Sequence, residues 1–194
     1  MITTLILAAG QSKRMGKTKM LLPWGEVTVL EQVIATFKVA EVDDILVITG
    51  GDRERVEALV KDSDSVQTIF NPNYAKGEML SSVQAGLAGL EPGVEAVLIG
   101  LGDQPQAQER SVRLVIDEYR KTGAFIVVPS FQMRRGHPWL VARLHWDEIL
   151  GMHSPASLRD FLNDHADEIH YVELNNDSIL QDLDTPEDYL KSRP

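Results

Sequence analysis

Short, almost purely apolar runs alternating with longer helical patterns constrain this chain more than any other feature. Ile2 to Ala8 is nearly continuous in apolar residues, with no polar alternation after Thr4. A strand of that composition has to be covered on both faces. Ile45 to Ile48, Val66 to Phe70, Ala96 to Ile99 and Phe125 to Val128 repeat the pattern, each bounded by turn residues or charges. Between such runs, Leu30, Val33, Ile34 and Phe37 fall at i, i+3, i+4 and i+7, as do Val112, Val115, Ile116 and Tyr119. Leu80, Val83, Leu87 and Leu90 make a third stripe, entered through Gly77 and Glu78 and left at Pro92 and Gly93. The alternation predicts an α/β fold with a mostly parallel sheet and helices on both faces. Further along, Pro138 to Val141 and Ile169 to Leu174 read as strands and Leu158 to Leu162 as a short helix. Thr185 and Pro186 read as an N-cap followed by proline at the first helical position of a last helix. Trp139 and Trp146 read as packing residues.

With 194 residues, the chain has room for one domain with a substantial core, and a single domain over residues 1–194 is expected. A net charge of −10 argues against a general nucleic-acid binder, which needs a basic face to displace counterions. It leaves open the binding of one phosphorylated small molecule by a local cluster of cations. With no cysteine, disulfides and thiolate metal sites are excluded. The N-terminus carries no basic leader, and no apolar run approaches the ~18 residues of a membrane span. A cytoplasmic protein without membrane contacts is therefore expected.

Ligands of open α/β sheets bind beyond the carboxyl ends of the strands, which directs attention to the loop after Ala8. It holds Gly10, Lys13, Arg14, Gly16, Lys17 and Lys19, four cations within seven residues. Gly10 and Gly16 are expected to permit positive φ and close approach of backbone N–H groups to an anion. Arg14 can grip phosphate oxygens bidentately, and the lysines supply mobile point charges. A solvated basic loop is the alternative. The dinucleotide pattern G-x-G-x-x-G is absent. Gly10 to Thr18 nearly meets G-x-x-x-x-G-K-[ST], but five residues separate the glycines where that motif has four. A P-loop NTPase, with Asp103 as its acid, stays a rival.

Asp103 follows the apolar run Ala96 to Ile99, with Gly100 and Gly102 expected to leave room beside it. Its carboxylate can hold Mg²⁺, or it can cap the next helix without any metal. Asp182 and Asp184 share a face if their segment is extended, and Asp188 fits a helix cap. Cations for phosphates together with carboxylates for a metal suggest phosphoryl or nucleotidyl transfer.

The stretch Leu7 to Gly16 with Lys19 to Pro23, then Asn71 to Leu87, Gly102-Asp103-Gln104-Pro105, Arg135-Gly136-His137-Pro138 and Asp182 to Pro186 occur in one order. Together they resemble the MobA-like nucleotidyltransferase family, especially its molybdenum cofactor cytidylyltransferase branch. The resemblance implies a Rossmann-like, nucleotide-diphospho-sugar transferase-like sheet with a small antiparallel element. It implies that Arg14 and Lys19 hold the triphosphate and that Asp103 and Asp184 hold Mg²⁺. Leu7, Ala8, Ala9, Gly10, Asn71, Ser81, Ser82 and Gly102 would contact the nucleotide, and Arg135 and His137 the acceptor. A neutral His137 holding its loop through backbone hydrogen bonds is the competing explanation. The implied reaction is in-line attack of an acceptor phosphate on the α-phosphorus of CTP, releasing pyrophosphate, with molybdopterin as acceptor and possible delivery of the product to a molybdoenzyme.

Ala9 is similar to the cytidylyl branch, because the guanylyl branch usually has glycine there. The chain departs from the family at Gly151 to Ser157, where a glycine-rich stretch facing the acceptor is usual. Rival readings are a transferase using GTP, one using a sugar or polyol phosphate, the P-loop NTPase, and a non-catalytic nucleotide-binding module.

Overall fold

The structure is a computed structural model describing residues 1–12, 14–63, 65–76 and 78–194. Lys13 and Gly77, which figure in the expectations above, lie outside the described residues. In chain order the strands are β1 (Ile2–Ala8), β2 (Pro23–Trp24), β3 (Val27–Thr28), β4 (Asp44–Thr49), β5 (Val66–Phe70), β6 (Ala96–Leu101), β7 (Ile126–Phe131), β8 (Arg134–Arg135), β9 (Trp139–Ala142) and β10 (Ile169–Glu173). The helices are α1 (Val29–Val39), α2 (Arg53–Val60), α3 (Glu78–Ala88), α4 (Glu109–Thr122), α5 (Trp146–Gly151), α6 (Leu158–Asp164) and α7 (Pro186–Ser192).

One sheet runs in the order β10-β7-β9-β6-β1-β4-β5, with β8 paired to β7. β1 lies parallel to β4 and β6, β4 to β5, and β7 to β10. Only β9 runs against its neighbours within that order, inserted between β6 and β7. β2 and β3 form a separate two-residue antiparallel ribbon. The expected mostly parallel sheet with a small antiparallel element is therefore present.

Strand residues alternate between two cores. Ile6, Ile45, Val47, Leu98 and Val127 face α1, α2 and α4, whereas Leu5, Ile48, Val97, Ile99 and Val128 face α3, α5 and α6. Both faces are covered, which is why the runs carry no polar alternation. On α4 the stripe residues Val112, Val115 and Ile116 are essentially fully buried, each contributing roughly 1.5–3 kcal/mol by leaving water. Trp139 and Trp146 are buried, and Trp139 stacks on Phe161, so both pack as expected.

Capping fixes where several helices begin. Thr28 and Glu31 satisfy each other's backbone N–H at the start of α1. Ser157 and Asp160 do the same for α6, and Thr185 and Asp188 for α7, with Pro186 in its first turn. Among the described residues no helix is long and apolar enough to cross a membrane.

Candidate active site

Because β1, β4, β5 and β6 are parallel, the loops after Ala8, Thr49, Phe70 and Leu101 gather at one edge of the sheet. The basic loop is folded there by local bonds. Ser12 Oγ accepts from the Lys19 backbone N–H at 3.1 Å, and the Ser12 carbonyl accepts from Met15 N–H at 3.0 Å. The Thr18 hydroxyl donates to Asp52, just before α2. Gly16 takes φ +63°, as its type permits. Gly10 does not; it is exposed and outside the left-handed region, and the positive φ falls on Ser12 instead.

The glycine that the local packing requires is Gly50, at the end of β4. A Cβ there would lie 2.3 Å from the Ala9 carbonyl oxygen and 2.8 Å from Tyr74 Cβ. Gly100 and Gly102 also serve packing. Their missing side chains make room for the Phe37 ring and for Met20 Sδ.

Three distant segments meet in one ion cluster. Lys19 Nζ donates to Asp103 Oδ2 at 2.6 Å and to Asp184 Oδ1 at 3.1 Å, while Arg14 reaches Asp184 Oδ2 at 3.1 Å. Burial is the largest influence on the Lys19 ammonium and pulls its pKa down. Asp103 and Asp184 together outweigh that and hold it above the ordinary lysine value. The Leu183 N–H donates to the Asp103 carbonyl at 3.1 Å, tying the C-terminal segment to the loop after β6. Leu183 itself is buried against Trp24 and Val29, so Asp182 and Asp184 flank it on the other side, as period two demands. The two take different partners. Asp182 Oδ1 accepts from Gln104 Nε2 at 2.6 Å, and desolvation, then repulsion from Asp103, raise its pKa. Asp184 is the carboxylate that shares a cation with Asp103. Among the described residues the Asp103 side chain caps no helix; it bonds to Lys19, and α4 begins after Gln108 without a side-chain cap.

The P-loop alternative meets two obstacles. A Walker loop passes into a helix and turns its Ser/Thr hydroxyl to the metal. Here Thr18 is spent on Asp52 and leads into a three-residue 3-10 turn, Lys19–Leu21. Lys17 is exposed and makes no hydrogen bond or ion pair among the described residues.

Residues expected at the nucleotide divide into buried framework and cavity wall. Leu7, Ala8 and Ala9 are buried, and the Leu7 carbonyl accepts from Gly102 N–H at 3.0 Å. Asn71 is almost fully buried; its Nδ2 donates to Ser81 Oγ at 2.9 Å and Ser82 Oγ at 3.0 Å, and its Oδ1 accepts from Asn73 N–H. The structure brings these three residues together, as mutual partners that pin the segment after β5 to α3. Gly10, Arg14, Lys19 and Asp184 line a cavity of about 460 Å³, completed by Tyr74, Lys76 and Glu78. The sequence does not single out the last three individually, but they fall within the segment Asn71 to Ser82 that the family resemblance assigns to base and ribose.

Two larger cavities continue along the same edge. One of about 650 Å³ shares Lys76 and Glu78 with the first and is bounded by Met152 to Ser157, the segment where the chain departs from the family pattern. The next, of about 670 Å³, shares Met79, Leu158 and Arg159 with the second and contains Arg135 and His137. Arg135 donates to Tyr171 OH at 2.9 Å and Asn163 Oδ1 at 2.8 Å. The His137 ring is kept neutral, its pKa lowered to about 4 by burial, and its Nε2 is buried with no hydrogen-bond partner among the described residues. The loop is held by backbone instead, with His137 N–H donating to the Ile179 carbonyl at 3.1 Å. The competing explanation, a neutral histidine whose loop is held through backbone hydrogen bonds, agrees with this arrangement.

Comparison with known proteins gives a consistent answer. Residues 4–169 match the model for the MobA-like NTP transferase domain. The chain is 29% identical over 198 residues to the molybdenum cofactor cytidylyltransferase of Escherichia coli (strain K12), covering 99% of this chain and 95% of that one. It is 30% identical over 120 residues to a probable molybdenum cofactor guanylyltransferase of Bacillus mycoides (strain KBAB4), covering 59% of this chain and 54% of that one. The crystal structure of Rv0371c from Mycobacterium tuberculosis H37Rv superposes with a TM-score of 0.85 at 26% identity, covering 98% of this chain and 96% of that one.

Proposed function

The chain belongs to the MobA-like NTP transferase family and is a nucleotidyltransferase, and from that premise we propose that it transfers CMP from CTP to the phosphate of molybdopterin, releasing pyrophosphate. The observation that carries this reading is the Lys19 ammonium set between Asp103 and Asp184, with Arg14 on the outer oxygen of Asp184.

Such a cluster is poised for an exchange of partners. When a triphosphate enters the neighbouring cavity, Arg14 and Lys19 trade carboxylate oxygens for phosphate oxygens. The two carboxylates, hard oxygen donors on one cation, then suit Mg²⁺, which takes few protein ligands and fills its shell with phosphate and water. Asp103 and Asp184 would hold that ion, whose chemistry is to neutralise charge on the phosphates. An acceptor phosphate oxygen forms a bond to the α-phosphorus as the bond from that phosphorus to the bridging oxygen breaks. The electron pair leaves with pyrophosphate, and Lys19 and Arg14 counter its charge. Catalysis here is positioning and electrostatics, so no protein nucleophile is needed.

The acceptor would occupy the two cavities beyond Lys76, with Arg135 and His137 at the far end. Cytidine is favoured by Ala9 and by the near-complete coverage of the Escherichia coli cytidylyltransferase. The test is pyrophosphate release with CTP, GTP, ATP or UTP, each offered molybdopterin, a sugar phosphate or a polyol phosphate. Turnover of CTP with molybdopterin above every other pair is expected. A preference for GTP would overturn the base assignment, and no turnover with molybdopterin would overturn the acceptor.

A further inference from the structure

At the edge of the sheet opposite the active site, two histidines and two glutamates form a closed group. β9 runs against β6, so Ala142 pairs with Ala96 at the start of β6, and the chain beyond Ala142 emerges at the amino ends of the parallel strands. His145 follows there, Glu148 lies in the first turn of α5, His165 ends α6, and Glu168 precedes β10. The sequence carries a signal for this pairing. His-x-Asp-Glu-Ile occurs twice, at 145–149 and 165–169.

We propose that His145, Glu148 and His165 bind a divalent transition-metal ion of the zinc type, with Glu168 orienting both imidazoles. One donor atom from each of the three lies within 4.8 Å of the others. Glu148 Oε2 is 3.7 Å from His145 Nδ1 and 2.9 Å from His165 Nε2. Donors around tetrahedral zinc, with bonds of ~2.0–2.1 Å, stand roughly 3.3 Å apart, between those two values. The opposite nitrogens of both rings face one carboxylate. Glu168 lies 2.8 Å from His165 Nδ1 and 3.4 Å from His145 Nε2. A ligating histidine commonly gives its other N–H to such a carboxylate, which fixes the tautomer and the ring plane.

The His145 side chain is 7% exposed; its Nε2, 3.4 Å from Glu168, makes no hydrogen bond among the described residues, and it is Nδ1 that faces Glu148 on the side of the proposed ion. Both of its nitrogens are turned toward the glutamates, while Phe125 and Phe161 pack edge-on against the ring. Imidazole with carboxylate is a donor set for zinc-like ions, unlike the all-oxygen donors at Asp103 and Asp184.

The test is titration of the chelator-treated full chain with Zn²⁺ by calorimetry, and with Co²⁺ by visible spectroscopy. Glu148→Gln and Glu168→Gln serve as variants because both side chains are partly exposed, and circular dichroism checks their folding. Expected are one zinc equivalent in the native chain and tetrahedral Co²⁺ bands. Glu148→Gln and Glu168→Gln should each weaken zinc binding by about tenfold or more. CTP-dependent pyrophosphate release by the zinc-free Glu148→Gln chain, with Mg²⁺ supplied, should stay unchanged. Zinc binding that survives both substitutions, or no binding at all, overturns the proposal and leaves a hydrogen-bonded quartet only.

Discussion

His137 offers a quantitative check on the wall of the cavity it shares with Arg135. Burial lowers its pKa from 6.5 to about 4, so the folded chain keeps the ring neutral while the unfolded chain protonates it readily. At about 1.36 kcal/mol for each pH unit of difference, that gap amounts to ~3 kcal/mol at most. The direction follows from the proton count. Above 6.5 both states are neutral and the contribution is fully present. As pH falls from 6.5 towards 4, only the unfolded state takes up the proton, and the contribution is lost. Urea unfolding read by tryptophan fluorescence, with the native chain and His137→Asn compared between neutral pH and pH ~4.5, isolates this one group. The native chain should lose about 2.5 kcal/mol more than the variant over that interval. Parallel pH profiles for the two chains would refute the claim that the ring is held neutral by burial.

Gly50→Ala should destabilise the chain by roughly 1–3 kcal/mol or more, because the new Cβ meets backbone at 2.3 Å; thermal denaturation checks it, and an unchanged melting temperature would contradict the close approach. Lys19→Ala should lower pyrophosphate release by roughly 10²-fold or more, whereas Lys17→Ala should leave it nearly unchanged. Equal losses in the two variants would reopen the P-loop reading.

Much of the fold was legible because β1, β4 and β6 are covered on both faces and show it as unbroken apolar runs. The stripes of α1, α3 and α4 were equally plain. What stayed hidden depends on distant contacts. Pro138 to Val141 could be read as a strand, but nothing local says that β9 inserts antiparallel between β6 and β7. α2 was missed because only Val56 and Val60 of its eight residues are buried, too few to make a stripe.

The site divides in the same way. Lys13, Lys17 and Lys19 are chemically alike in the sequence. The family resemblance singles out Lys19, but its physical distinction comes only when the fold brings up Asp103, 84 residues away, and Asp184, 165 residues away. Likewise, nothing in the sequence separates Asp184 from Asp182 until Gln104 claims the latter. Gly10 illustrates the reverse error, since a positive φ was expected there and the turn places it on Ser12 instead.

The central claim is that Asp103, Asp184 and Lys19 form one nucleotidyl-transfer centre. Its most direct test is Mg²⁺-dependent pyrophosphate release from CTP in the presence of molybdopterin, compared between the native chain and Asp103→Asn, both verified as folded. Turnover by the native chain that needs Mg²⁺ and falls by roughly 10²-fold or more in the variant is the expected result. Equal turnover in the two chains, or turnover indifferent to Mg²⁺, would contradict it.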